Sequence, residues 1–187
     1  MIICNLFNMK YLFYILVLLF VISTGVSGQI PAQTIPDFQF LGADKKTFTT
    51  KDLPKDKMMF FVFFDSECDH CQHAIKNIDK NYQAFQKTAT YIISIDDHEK
   101  INKFMNTYGP HLKTQKNVVF LQDKFNQFIT KFTPRKYPSM FLYSAENKLL
   151  DYEDNEESIF RFLNIINKNR QIKKSKANSL LIINQFL

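Results

Sequence analysis

The segment Met58-Met59-Phe60-Phe61-Val62-Phe63-Phe64 is an unbroken apolar run bounded by Lys57 and Asp65. It is too short for a typical helix and shows no alternation, so it reads as a strand covered on both faces. Directly beyond it, Cys71, Ile75, Ile78, Tyr82 and Phe85 recur at intervals of three and four, a spacing that predicts a helix over 68–87 with one buried stripe. A covered strand feeding such a helix calls for a sheet with a layer on each side, and it sets Cys68 and Cys71 at a helix N-terminus.

The alternation of strand and helix continues to about residue 168. Ala89 to Ile95 reads as a strand, and Asp96-x-x-Glu99 as a capping box opening a helix with Ile101, Phe104, Met105 and Tyr108, stopped by Gly109-Pro110. Val118 to Leu121 is a short strand. Asp123 to Phe132 is expected to be a helix with Phe125, Phe128 and Ile129 inward, and Ser139 to Tyr143 another strand, paired back by Asn147 to Tyr152. Asp154-x-x-Glu157 is expected to cap a last helix carrying Ile159, Phe160, Phe162, Leu163, Ile165 and Ile166. Ahead of the central strand, the alternating Ile35 to Leu41 and Thr47 to Thr49 form a hairpin at an edge. The fold class is therefore α/β: a three-layer sandwich, a central mixed sheet with helices on both faces and an N-terminal β-hairpin.

Residues 1–28 stand apart. Lys10 precedes the apolar run Tyr11 to Ile22, which gives way to small and polar residues up to Gly28, the plan of a secretory signal. The run is shorter than the ~20 residues a membrane span needs, so cleavage is expected, with an uncleaved anchor as the alternative. Export is expected in either case, to the periplasm or the outer face of the cytoplasmic membrane. The division is thus a signal at 1–28, one domain at 29–168 and a basic, apolar-ended tail at 169–187 that fits no element.

The net charge of +6 does not describe the domain. Lys10 lies in the signal, and Lys168, Arg170, Lys173, Lys174 and Lys176 lie at the end without acids between them, leaving residues 29–167 neutral. No nucleic acid partner is expected of a neutral body whose many Phe residues follow strand and helix patterns. The tail offers contact with an anionic membrane surface through Lys173, Lys174 and Lys176, against disorder of a short terminal segment.

Of Cys4, Cys68 and Cys71, only the last two lie beyond the signal. A bridge across two residues closes too small a loop to constrain the unfolded chain, so redox chemistry or metal binding explains the pair better than a structural role. A helix N-terminus favours a thiolate, which assigns attack to Cys68 and resolution to Cys71, one turn on and turned to the core. His70 between them is the expected pKa-tuning group for Cys68, opposed by Glu67 and Asp69. A copper or zinc clip using the same cysteines with His70 or His73 is the competing reading, but no second Cys/His pair completes a closed site. A c-type haem would require histidine where Gln72 stands. No metal and no cofactor is expected.

Ile35-Pro36-Asp37-Phe38, the strand Phe60 to Phe64, Cys68-x-x-Cys71 and Tyr137-Pro138-Ser139 before a strand together resemble thioredoxin-like proteins, nearest the TlpA/ResA type of exported thiol-disulfide oxidoreductase, over residues 34–168. The resemblance implies a thioredoxin-like fold in which Pro138 is a cis-proline packed opposite the cysteines, with Tyr137 and Pro138 contacting substrate; the alternative is that Pro138 merely opens an edge strand. It implies protein thiols and disulfides as substrates and an unidentified redox partner; a monomer is expected. A thioredoxin-like metal carrier, a peroxide-reducing enzyme on a related fold and a redox-inert scaffold are the rivals. Two departures stand out: no Trp precedes the first cysteine, and Val62 and Ala74 hold positions where relatives bury a carboxylate. Asp65, Glu67 and His73 are the substitutes at hand, none of them assigned.

Overall fold

The computed structural model describes Tyr11, Tyr14 and residues 29–185. The expected signal at 1–28 lies, apart from those two tyrosines, outside the described residues.

The strands are β1 (Gln39–Leu41), β2 (Thr47–Thr49), β3 (Met59–Phe63), β4 (Ala89–Ser94), β5 (Val118–Gln122), β6 (Ser139–Tyr143) and β7 (Leu149–Glu153). The helices are α1 (Asp69–Lys80), α2 (Tyr82–Phe85), α3 (His98–Tyr108), α4 (Pro110–Lys113) and α5 (Ile159–Gln185). One seven-stranded sheet runs in the order β2-β1-β5-β4-β3-β6-β7. β3 pairs in parallel with β4 and antiparallel with β6, and β4 in parallel with β5. The expected mixed sheet with an edge hairpin is present, and β3 is buried at every position.

Two apolar cores flank that strand. Phe60, Val62 and Phe64 face Cys71, Ile75 and Ile78 of α1, Phe104 of α3 and Phe162 of α5. Met59, Phe61 and Phe63 face Phe38 and Phe40 of the amino-terminal segment and Phe128 and Phe132 of a one-turn helix. The longer helices thus gather on one face, while the hairpin segment and single turns close the other, so the strand's period-two alternation feeds two unlike layers.

Local differences from the sequence reading have local causes. The helix expected over 68–87 breaks at Asn81, whose side-chain Nδ2 donates to Asn77 O at 2.8 Å and whose backbone leaves the helical region. The helix after β4 is capped by Asp97, accepting from Lys100 N–H at 2.9 Å, and not by Asp96. Residues 123–132 do not form a regular helix. They hold one π-helical turn, Phe128–Phe132, in which Phe128 and Phe132 point inward while Phe125 is 66% exposed and Ile129 points outward. Asp154 caps nothing at α5; it takes Arg135 Nε at 2.9 Å. Of Ile35 to Leu41 only the last three residues join β1, and the residues past 168, expected to fit no element, continue α5 to Gln185.

Candidate active site

The parallel strands β3, β4 and β5 end at one edge of the sheet, and the loop after β3 carries the cysteines. Phe64 N–H still donates to Ile93 O at 3.0 Å, and the chain then turns: Glu67 N–H donates to Asp65 Oδ1 at 2.8 Å and Cys68 N–H to Asp65 O at 3.3 Å. Cys68 is the N-cap residue of α1. Its φ of −88° and ψ of 117° are extended, and its Sγ accepts from Cys71 N–H at 3.4 Å. The sulfur occupies the place usually held by a serine or aspartate oxygen, where the orphan amides and positive dipole end of a helix favour negative charge.

Cys71 has a different setting. It is fully buried beside Phe64 and Ile75, and burial pushes its thiol well above the usual range, with the Asp65 backbone opposing the shift and the neighbouring Cys68 adding to it. Cys68 remains half-exposed, and both thiols are free. One turn therefore presents one accessible sulfur and one sheltered from solvent.

His70 lies on the outer side of the same turn. Its Nδ1 sits 2.7 Å from Glu156 Oε1, in the loop before α5, and its side chain is largely exposed. The backbone amide of Glu156 and then the His70 ring hold the Glu156 carboxyl below its ordinary value. Asn77 Nδ2 donates to Glu156 O at 3.2 Å, so the loop before α5 is fastened to α1 at two points.

Tyr137-Pro138 is joined by a cis peptide bond. Ser139 is in register with Phe63, which puts Pro138 beside the end of β3, where the cysteine loop leaves. The Tyr137 ring packs 4.9 Å from Phe63. Burial first, then the charges of Asp65, Cys71 and Asp96, push its hydroxyl up to about 12. Tyr152 steadies the segment from β7: its hydroxyl accepts from Arg135 N–H at 2.9 Å and meets Ser139 Oγ at 2.8 Å.

The structure thus gathers Cys68, Cys71, Tyr137 and Pro138 at one end of the sheet and sets His70 at the rim against Glu156. Of the three substitutes for a buried carboxylate, Asp65 is half-buried at the turn, Glu67 is exposed and paired with Lys100 at 3.6 Å, and His73 is exposed. Glu156 and Asp96 are not apparent from the sequence, since each fits a helix start. Among the described residues, no group of three or more His, Cys, Asp or Glu side chains is placed to hold a metal ion.

A family model described as the AhpC/TSA family matches residues 31–175. The chain belongs to the AhpC/TSA family. No curated protein matches it in sequence. Among solved structures, this AhpC/TSA chain is similar to peroxidoxin BcpB from Mycobacterium tuberculosis, at 15% identity and a TM-score of 0.60, over 75% of this chain and 97% of that one. It is also similar to a secreted disulfide oxidoreductase of Mycobacterium tuberculosis (15% identity, TM-score 0.56, 68% and 95% covered) and to the thioredoxin domain of a thiol-disulfide oxidoreductase from Bacteroides vulgatus (20%, 0.55, 72% and 98%). These likenesses establish the thioredoxin-like α/β fold. The family match makes this AhpC/TSA chain a member of a redox-protein family.

Proposed function

We propose that this chain is a thiol-disulfide oxidoreductase that exchanges its Cys68/Cys71 pair with protein thiols and disulfides. The observation that carries the reading is the asymmetry within one helical turn: Cys68 Sγ caps α1 at its exposed end, while Cys71 is fully buried behind it. In the proposed reaction the Cys68 thiolate attacks one sulfur of a substrate disulfide. A Cys68–substrate bond forms, the substrate bond breaks, and the leaving thiolate takes a proton. Cys71 then loses its proton and attacks Cys68 sulfur, releasing the second substrate thiol, so two electrons and two protons pass from dithiol to substrate. A dithiol partner returns them, and the sequence reverses to oxidise a dithiol.

His70 is the group proposed to bias Cys68 toward thiolate, with its ring anchored by Glu156. Tyr137 and Pro138 are proposed to contact an extended substrate segment, supported by their place beside the cysteine loop at the end of β3. The protein is proposed to work as a monomer outside the cytoplasm, as the segment at 1–28 would direct. Among the described residues, no helix is long and apolar enough to cross a membrane.

The test is the redox state of the purified chain in glutathione buffers, read by mass-shift alkylation of Cys68 and Cys71 with bound metal assayed alongside. A reversible two-electron transition abolished by Cys68→Ser is expected. Stoichiometric metal with shielded thiols would replace this reading with a metal carrier. The similarity to a peroxidoxin adds one arm: rapid turnover of hydrogen peroxide by the wild type, undiminished in Cys71→Ser, would replace it with peroxide reduction.

A further inference from the structure

Asp96 lies two residues beyond β4, and its side chain is only 15% exposed. Its Oδ2 accepts from Ser66 N–H at 3.1 Å and from Ser94 Oγ at 3.1 Å, and its own N–H donates back to Ser94 Oγ at 3.1 Å. Its Oδ1 lies 3.6 Å from Lys100 Nζ, one turn along α3, and that ammonium also lies 3.6 Å from Glu67 Oε1. Burial works against the Asp96 carboxylate, but the Ser66 and Ser94 donors prevail and hold its carboxyl below the ordinary range.

The backbone donors just before the attacking thiol show why this matters. Glu67 N–H and Cys68 N–H are both satisfied by Asp65, inside the loop, whereas Ser66 N–H alone of the three bonds outside it. Without that bond the loop would still close on itself, yet it could pivot about Phe64, the last residue tied to the sheet by Ile93. Thiol exchange requires the sulfurs to approach nearly in line, so a pivot at the base of the loop displaces the reacting atom itself.

We propose that Asp96 is the positioning residue for Cys68, fixing through Ser66 N–H the loop that presents the attacking thiol, with Lys100 balancing the charges of Asp96 and Glu67. This rests on the reading of Cys68 as the attacking thiol. Asp96 acts through the backbone and touches no substrate atom.

The experiment compares the full chain with Asp96→Ala, Asp96→Asn and Lys100→Gln. Three quantities are read: the rate of Cys68 attack on oxidised glutathione, the equilibrium constant of the Cys68–Cys71 disulfide against glutathione, and the melting temperature. Asp96→Ala is expected to lower both the rate and the equilibrium constant roughly ten-fold, because the two sulfurs lose effective concentration toward each other. Asp96→Asn, which keeps volume and an oxygen for Ser66 N–H, is expected to restore both to within about three-fold of wild type, and Lys100→Gln to change either by no more than about two-fold. If Asp96→Ala does not fold, Asp96→Asn and Lys100→Gln decide: the proposal requires both to remain within those limits, and a ten-fold loss in Lys100→Gln overturns it. Unchanged constants in a folded Asp96→Ala, or an Asp96→Asn as impaired as Asp96→Ala, also overturn it. A wild type that never attacks glutathione disulfide sinks the underlying oxidoreductase reading instead, an outcome distinct from an active wild type with an unimpaired Asp96→Ala.

Discussion

Replacing Asp123 with alanine isolates the cost of supporting the site from behind. Asp123 comes directly after β5 and is fully buried; its Oδ1 accepts from Gln127 N–H at 2.9 Å and its Oδ2 from Phe128 N–H at 2.6 Å. These are the amides that open the π-helical turn, and no helix precedes them to supply carbonyls. Hydrogen bonds to a charged group contribute about 1.5–3 kcal/mol each, so the pair is worth about 3–6 kcal/mol before the cost of burying the carboxylate is subtracted. A net loss of about 3 kcal/mol is expected, which for a domain of this size lowers the melting temperature by about 6–12 °C. The effect should reach the site as well. Phe128 stacks on Phe63 at 4.4 Å and on Phe132 at 4.2 Å, and Phe63 packs against Tyr137. Urea unfolding followed by circular dichroism is the assay, since the chain has no Trp to report by fluorescence. The control is Asp97→Ala, which removes a single exposed cap at α3 and should cost about 1 kcal/mol. An Asp123→Ala protein no less stable than Asp97→Ala would refute the reasoning.

Three further outcomes are expected from the same geometry. In the reduced protein at neutral pH, iodoacetamide should modify Cys68 while Cys71 reacts at least about 100-fold more slowly until denaturant is added, because that thiol is both buried and raised; peptide mapping by mass spectrometry checks this, and equal labelling would contradict it. Cys71→Ser should accumulate a mixed disulfide with a glutathionylated or protein substrate, visible as a mass increase absent from Cys68→Ser; no trapped adduct would remove the resolving role of Cys71. Asp96 has its folded carboxyl below the ordinary aspartate value, so its stabilisation is present above about pH 4 and is lost as pH falls through the folded value. The stability gap between wild type and Asp96→Asn should therefore be constant well above about pH 4 and narrow as pH falls below it, and a gap independent of pH would speak against the assignment.

The central strand, the strands β4 and β6, and the cysteine position were legible because long apolar runs and three-four spacing are set by packing against a large core. Strand-end carboxylates were not legible. Asp96 and Asp97 are adjacent, and either can serve as the N-cap of the helix that carries Ile101 and Phe104; only the position of Ser66, thirty residues earlier in the chain, turns Asp96 toward the cysteine loop. Asp123 leads a stretch with helical spacing, yet both its oxygens capture amides four and five residues on, and the left-handed Asn126 and Thr133 bracket a single turn. Phe125, counted as core by spacing, is consequently exposed. Glu156 stands inside the cap expected for α5, but its carboxylate is taken by His70, which lies far away in sequence. The missed residues share one property: each bonds a partner that no local pattern names.

The cysteine end of the sheet is built from one repeated device. After β3, β4 and β5 an aspartate stands within two residues of the strand end: Asp65, Asp96 and Asp123. Each turns its carboxylate onto backbone amides of a turn, in its own loop for Asp65 and Asp123 and in the neighbouring loop for Asp96. Loops built this way hold their shape without regular secondary structure, because each bond ties a charge to a donor that would otherwise be unsatisfied. All three carboxylates bear on Tyr137, whose hydroxyl they help burial to push up to about 12. At neutral pH that hydroxyl therefore remains a hydrogen-bond donor at the cysteine end of the sheet. A Tyr137→Phe protein would keep the ring against Phe63 and lose only that donor. Its stability should fall by no more than about 1 kcal/mol. If the donor steadies the Cys71 thiolate during resolution, release of the mixed disulfide should slow several-fold while attack by Cys68 keeps its rate, and stopped-flow measurement of the two steps separates them. Equal slowing of both would assign Tyr137 to shaping the approach of substrate instead.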